Sequence, residues 1–279
     1  MNIPSISSIE NKKRIAIFDT SSVSFMQNLQ QKCSTADRIL EDYDLILIPG
    51  WVLTEIADSE ISISYIENLI EKGYPIFRIE EDDYSSLADD QEWNLYKIVK
   101  ASASRLGQIK SYLRRNIETD DPLDMDAYAD WISRLYDEWP IAGNVLSSGR
   151  LKKKNAGEIS ITILAEVLSW YYPETDSITI YSQDNDTREF QSSAEEQLIK
   201  VFASKILVPI SYKSNDAIIC QLYRSGDITE EEIRDIRKVE RKITYSKALA
   251  DKSVILATEL INTDEFIALI KDASVYIVF

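Results

Sequence analysis

The fold turns on Arg14-Ile15-Ala16-Ile17-Phe18-Asp19-Thr20-Ser21, where a short apolar run stops at a carboxylate followed by hydroxyls. Runs of this kind read as buried parallel strands, although so few residues alone also fit a segment of buried helix. Open α/β sheets place their ligand crevices outside the carboxyl ends of the strands. The expectation is that Asp19 stands in such a crevice and that three later segments bring further carboxylates to it.

Outward from that stretch, residues 22–40 mix polar and apolar positions and read as helix. Residues 43–49 form a second apolar strand closed by Pro49-Gly50, and 51–58 open a helix carrying Glu55. A helix over 61–71, Gly73 and a strand over 74–79 follow. Strand and helix alternate, which favours a parallel sheet. The acidic stretch 80–90 changes the character of the chain, and 93–150 read as helices without a clear strand. One helical piece, 96–116, is basic, a second, 120–139, is acidic, and 143–149 are loop-like. Alternation resumes with helix 155–171, strand 177–182, helix 188–204 and strand 206–212. Beyond Asn215 the pattern is helical, with a capping box at Thr229-Glu230-Glu231-Glu232 and a terminal strand or helix end over 274–279. The expected fold is α/β, a three-layer α/β/α core with a central parallel sheet. Its core covers 12–79 and 151–212, a helical insertion 80–150, and a mainly helical extension 213–279.

Composition narrows the chemistry. The chain has 279 residues and no histidine, which excludes Ser-His-Asp triads, Cys-His dyads and histidine-ligated zinc. Cys33 and Cys220 have no zinc or CxxC spacing, so reduced, buried thiols in a cytoplasmic protein are expected. No signal-peptide core and no membrane-spanning run is read in the sequence. The net charge of −16 argues against indiscriminate coating of nucleic acid but leaves room for a local basic groove.

Acids stand where strands end or helices begin: Asp19, Glu55, Glu158, and Asp184 with Asp186. Each has a bland reading. Asp19 caps the following helix, Glu55 is surface charge, Asn155-Ala156-Gly157-Glu158 is a capping box, and Asp184-Asn185-Asp186 is a turn. Taken jointly, crowded carboxylates call for a cation, and an all-oxygen cluster suits Mg²⁺ or Mn²⁺. Such an ion activates water and binds a phosphodiester oxygen.

Four segments then resemble, in order, the motifs of PIN-domain ribonucleases: Phe18-Asp19-Thr20-Ser21, Ile48-Pro49-Gly50-Trp51-Val52-Leu53-Thr54-Glu55-Ile56, Asn155-Ala156-Gly157-Glu158 and Ile180-Tyr181-Ser182-Gln183-Asp184-Asn185-Asp186. The resemblance leaves the insertion and extension uncovered. It implies a PIN-like core and Mg²⁺- or Mn²⁺-dependent cleavage of single-stranded RNA. It also implies Asp19 and Asp184 as direct ligands, and Glu55, Glu158 and Asp186 binding the ion through water or orienting the attacking water. Thr20 and Ser182 would hold the ligands by hydrogen bonds. Asn155 stands where many relatives carry an acid. An antitoxin or other regulatory protein, or a second copy in a homodimer, is a further partner to test for.

RNA-binding candidates are Arg150, Lys152, Lys153 and Lys154, a basic run just before Glu158, together with Arg188. The alternative for the run is a solvated loop. The basic residues between Lys97 and Arg115 are either a second groove wall or the wet side of a packed helix. Trp93, Trp131 and Trp139 either stack bases or fill the core. The competing functions are a non-catalytic PIN-like scaffold that binds protein and a different α/β acid enzyme such as a phosphatase.

Overall fold

The computed structural model describes residues 2–145, 149, 151–202, 207–249 and 251–279. The first segment runs β1 (Arg14–Phe18), α1 (Thr20–Gln30), β2 (Leu45–Pro49), α2 (Gly50–Ile56), α3 (Glu60–Glu71) and β3 (Ile76–Ile79). The insertion holds α4 (Tyr84–Leu87), α5 (Glu92–Ser102), α6 (Gly107–Asn116), α7 (Tyr128–Asp137) and β4 (Asn144–Val145), which pairs with β5 (Leu151–Lys152) just beyond it. The core resumes with α8 (Ala156–Tyr171), β6 (Ser177–Tyr181), α9 (Asn185–Phe202) and β7 (Ile210–Lys213). The extension comprises α10 (Asn215–Ser225), α11 (Glu230–Ile236), β8 (Arg241–Ala248), β9 (Val254–Ile261), α12 (Thr263–Ile270) and β10 (Val275–Ile277).

The central sheet has five strands in the order β3-β2-β1-β6-β7. Every pair in it is parallel. Helices cover both faces, which is why all of β2 and four of the five β1 residues are buried. Helices α1 and α3 pack together on one face, and α8 with α9 lie on the other. Helix α8 touches the sheet on one side and α4 and α5 of the insertion on the other. It is therefore apolar nearly all round, as a helix without a wet face must be. The three-layer α/β/α arrangement is the one expected from the sequence.

Details of the insertion and extension differ from expectation. The basic piece 96–116 is two helices, because Ser102, Ser104 and Gly107 weaken the helix and Leu106 turns extended at φ −110°, ψ 92°. The loop-like stretch pairs as a short antiparallel hairpin of β4 and β5. The extension has its three helices, but it also folds a three-stranded antiparallel sheet in the order β10-β8-β9. In β8 the residues Ile243 and Tyr245 point inward at period two, a strand signal hidden by its many charges. The terminal segment is strand β10.

Candidate functional site

Sheet order reverses between β1 and β6, so the switch point lies beyond Phe18 and Tyr181. Asp19 leaves β1 there, buried, and caps α1 by accepting the Thr20 amide at 2.7 Å on Oδ1. Its Oδ2 accepts the hydroxyls of Ser21 at 2.7 Å and Ser182 at 2.9 Å. Ser182, at the end of β6, also accepts the Asp184 amide at 3.0 Å. A hydrogen-bonded chain thus joins Asp19 to the Asp184 loop across 163 residues of sequence.

Glu55 reaches the same end of the sheet from α2. The Thr20 hydroxyl donates to its Oε2 at 3.2 Å, and the Lys152 ammonium pairs with that oxygen at 2.8 Å. A methyl group at Gly157 would stand 3.5 Å from Glu55 Oε1, which sets Glu55 against the start of α8 beside Glu158. The capping-box reading of Glu158 does not hold, because Asn155 is left-handed at φ 63° and its side chain makes no cap hydrogen bond.

Electrostatics bind these groups into one site. Burial pushes Glu158 up to about 7, and the carboxylates of Asp19, Glu55 and Asp184 push in the same direction. Burial raises Asp19 as well, with Asp184 adding to it, against hydrogen bonds from Ser21, Ser182 and Thr20. Burial alone would lower Lys152; the Glu55 hydrogen bond and the charges of Glu55, Glu158 and Asp19 lift it instead. Asp19, Glu55 and Asp184 therefore lie near enough to Glu158 for their charges to act on it at the carboxyl end of the sheet. Asp186 stands exposed in the first turn of α9, its amide donating to Asp184 Oδ1 at 2.9 Å.

The basic candidates divide. Arg150 lies outside the described residues. Lys152 enters the crevice. Lys153 sits 3.7 Å above the Tyr136 ring and donates to the Tyr136 carbonyl. Lys154 is exposed, and its carbonyl accepts the Trp139 indole at 2.9 Å. Arg188 lies over Phe279 at 5.9 Å. In the insertion, Lys100 pairs with Glu118, and Arg105, in the turn between α5 and α6, with Glu189. Trp131 is fully buried and Trp93 stacks on Tyr96, which is the core reading for both. Cys33 and Cys220 are free and buried.

Among the described residues no three acids or cysteines are already gathered as a formed metal site. The donor chemistry fits a hard cation nonetheless. Mg²⁺ takes only one or two carboxylates and keeps its water, and Asp19 with Asp184 supplies two. Ser21, two residues after Asp19, has a role that its place in the motif does not reveal. It braces both strand ends, accepting the Gln183 amide at 3.3 Å.

Fold and site together define an α/β/α protein with an acidic crevice at a sheet switch point. No protein-family model matches the chain, and no curated protein matches it. Among solved structures it is similar to Leishmania major tyrosyl-tRNA synthetase in complex with tyrosinol, at 9% identity and TM-score 0.30. That match covers 97% of this chain and 39% of the synthetase chain. No helix among the described residues is long and apolar enough to cross a membrane.

Proposed function

We propose that the chain is a PIN-type, Mg²⁺- or Mn²⁺-dependent endoribonuclease acting on single-stranded RNA. The supporting observation is the convergence of Asp19, Glu55, Glu158 and Asp184 from four separate segments on the crevice beyond β1 and β6. Asp19 and Asp184 would hold a divalent ion, which would supply Lewis acidity toward a phosphodiester oxygen. Ser21, Ser182 and the Thr20 amide fix the Asp19 carboxylate, while Thr20 orients Glu55. Glu158, at the start of α8 beside these carboxylates, accepts the proton of the attacking water. The water oxygen bonds to phosphorus, the P–O bond to the leaving nucleoside oxygen breaks, and that oxygen takes a proton from solvent. Asp184, Asp186 and Lys154 are exposed and open to a strand arriving from solvent.

The test is cleavage of a labelled single-stranded oligoribonucleotide in Mn²⁺. Asp19→Asn and Asp184→Asn are each expected to lower the rate by at least ~100-fold, since even the groups that merely hold a ligand are worth 10–100-fold. Undiminished cleavage by both variants removes the proposal.

A second reading, a non-catalytic scaffold that binds protein, is favoured by strand β9. It is an edge strand on which Val254, Ile255, Leu256 and Leu260 are exposed. That reading expects no heat of Mn²⁺ binding dependent on Asp19 in titration calorimetry.

A further inference from the structure

We propose that Lys152 is the second positive charge of this centre, so that the chain takes one divalent cation, at Asp19 and Asp184, and not two. The inference rests on the ribonuclease reading above. The crevice has two halves. In one, Asp19 uses Oδ2 for Ser21 and Ser182 and one lone pair of Oδ1 for the Thr20 amide. That leaves a lone pair on Oδ1 for an ion, with Asp184 exposed beside it. In the other half, Glu55 Oε2 is already engaged by the Lys152 ammonium and the Thr20 hydroxyl. A second metal ion at Oε2 would have to displace that ammonium, and one at Oε1 would stand against its positive charge on the same carboxylate.

Lys152 is not a loose surface lysine. It closes the β4–β5 hairpin, where Gly143 lies so near that a Cβ would clash with the Lys152 carbonyl. The next two residues are pinned as well, Lys153 on Tyr136 and the Lys154 carbonyl by Trp139. These anchors lead back to α2, because Tyr136 stacks on Trp51 at 4.7 Å and Trp139 meets Trp51 edge-on at 5.5 Å. The ammonium is therefore held in place before any ligand arrives. Two-metal phosphodiesterases use two cations to clamp the attacking and leaving oxygens. A lysine ammonium binds phosphate as a point charge and serves as one member of that clamp. This gives the insertion a place in the chemistry, since its strand β4 pairs with β5 and so positions Lys152.

The experiment is Mn²⁺ titration of the full chain by calorimetry, run beside cleavage of a single-stranded oligoribonucleotide and thermal unfolding. The wild type is expected to bind one Mn²⁺. Lys152→Met is expected to bind two while cleavage falls about 100-fold, the loss typical of removing one charge-stabilising donor. Lys152→Arg, which keeps charge and fold, is expected to bind one and to lose less activity. Two Mn²⁺ on an active wild type overturn the inference and leave the ribonuclease reading standing. Unchanged stoichiometry in folded Lys152→Met overturns it whatever the rate. A wild type that neither binds Mn²⁺ nor cleaves RNA overturns both.

Discussion

Glu81 and Glu166 are buried carboxyls outside the crevice, and burial pushes each up to about 8. Glu81 Oε1 accepts the Trp51 amide at 2.8 Å and the Ser160 hydroxyl at 2.5 Å; Glu166 accepts Trp170 Nε1 and Gln191 Nε2. In the unfolded chain both would titrate near 4.5, so the folded protein holds extra protons between pH 4.5 and about 8. Stability is therefore greatest at the acid end of that window and falls as pH rises through it, by ~1.4 kcal/mol for each pKa unit per group. Melting temperatures followed from about pH 5 to about pH 8.5 should decline. The decline should flatten in Glu81→Gln and in Glu166→Gln, which keep an acceptor but cannot ionise. A wild-type profile that does not fall would show both groups ionised when folded. The Ser182 hydroxyl makes a different contribution. Ser182→Ala removes a donor to Asp19 and the acceptor of the Asp184 amide, so Mn²⁺ affinity should drop ~10–100-fold with the fold retained. Calorimetry of the variant checks it, and affinity within twofold of wild type would contradict it.

Among the elements, the β4–β5 hairpin depends most visibly on one residue. Gly143→Ala drives a methyl into the Lys152 carbonyl, backbone against backbone, and should cost ~1–3 kcal/mol. It should also loosen the Trp139 indole from Lys154, read as a red shift in tryptophan emission. Gly107→Ala is the contrast. A Cβ there meets nothing within 4 Å, so stability should hold or rise by up to ~1 kcal/mol. Equal melting temperatures for the two variants would refute the packing argument. The same comparison shows why some elements were legible and others not. Strands β1 and β2 announce themselves as apolar runs ending at Asp19 and Pro49. Asp19, Glu55, Glu158 and Asp184 could be found because each holds an equivalent place at the carboxyl end of the sheet. The hairpin could not, since its pairing is set by tertiary contacts of Trp139, Tyr136 and Trp51 rather than by local pattern. The run Lys152-Lys153-Lys154 reads as a solvent-facing basic patch, yet two of its ammoniums turn inward to Glu55 and Tyr136. Strand β9 escaped for another reason. Its run Val254-Ile255-Leu256 has no alternation, so periodicity alone cannot separate strand from helix.

At the scale of the whole molecule, the extension is tied to the first segment of the core. Asp227 accepts Cys33 Sγ at 3.0 Å on its carbonyl and pairs with Arg38 at 2.9 Å. Inside the extension, Arg237 is wholly buried and its Nε lies 3.2 Å from Asp216 Oδ2. Its terminal nitrogens donate to the Ile261 carbonyl at 3.1 Å, and its guanidinium lies 4.7 Å from the Phe266 ring centre. This one side chain joins α10, β9 and α12. Burial raises Asp216 even though Arg237 and Arg241 lower it, so desolvation outweighs the pairing. Removing one partner leaves a buried carboxylate with only Arg241, at 3.5 Å and partly exposed. Arg237→Met should therefore cost ~3–5 kcal/mol, whereas Arg237→Met with Asp216→Leu should recover much of that loss because the stranded charge goes too. Since Asp227 locks the extension to the core, the loss should lower a single cooperative transition in calorimetry. A separate early transition in Arg237→Met would mean that the extension unfolds by itself. The crevice beyond β1 and β6 would then keep Mn²⁺ affinity after the extension has melted.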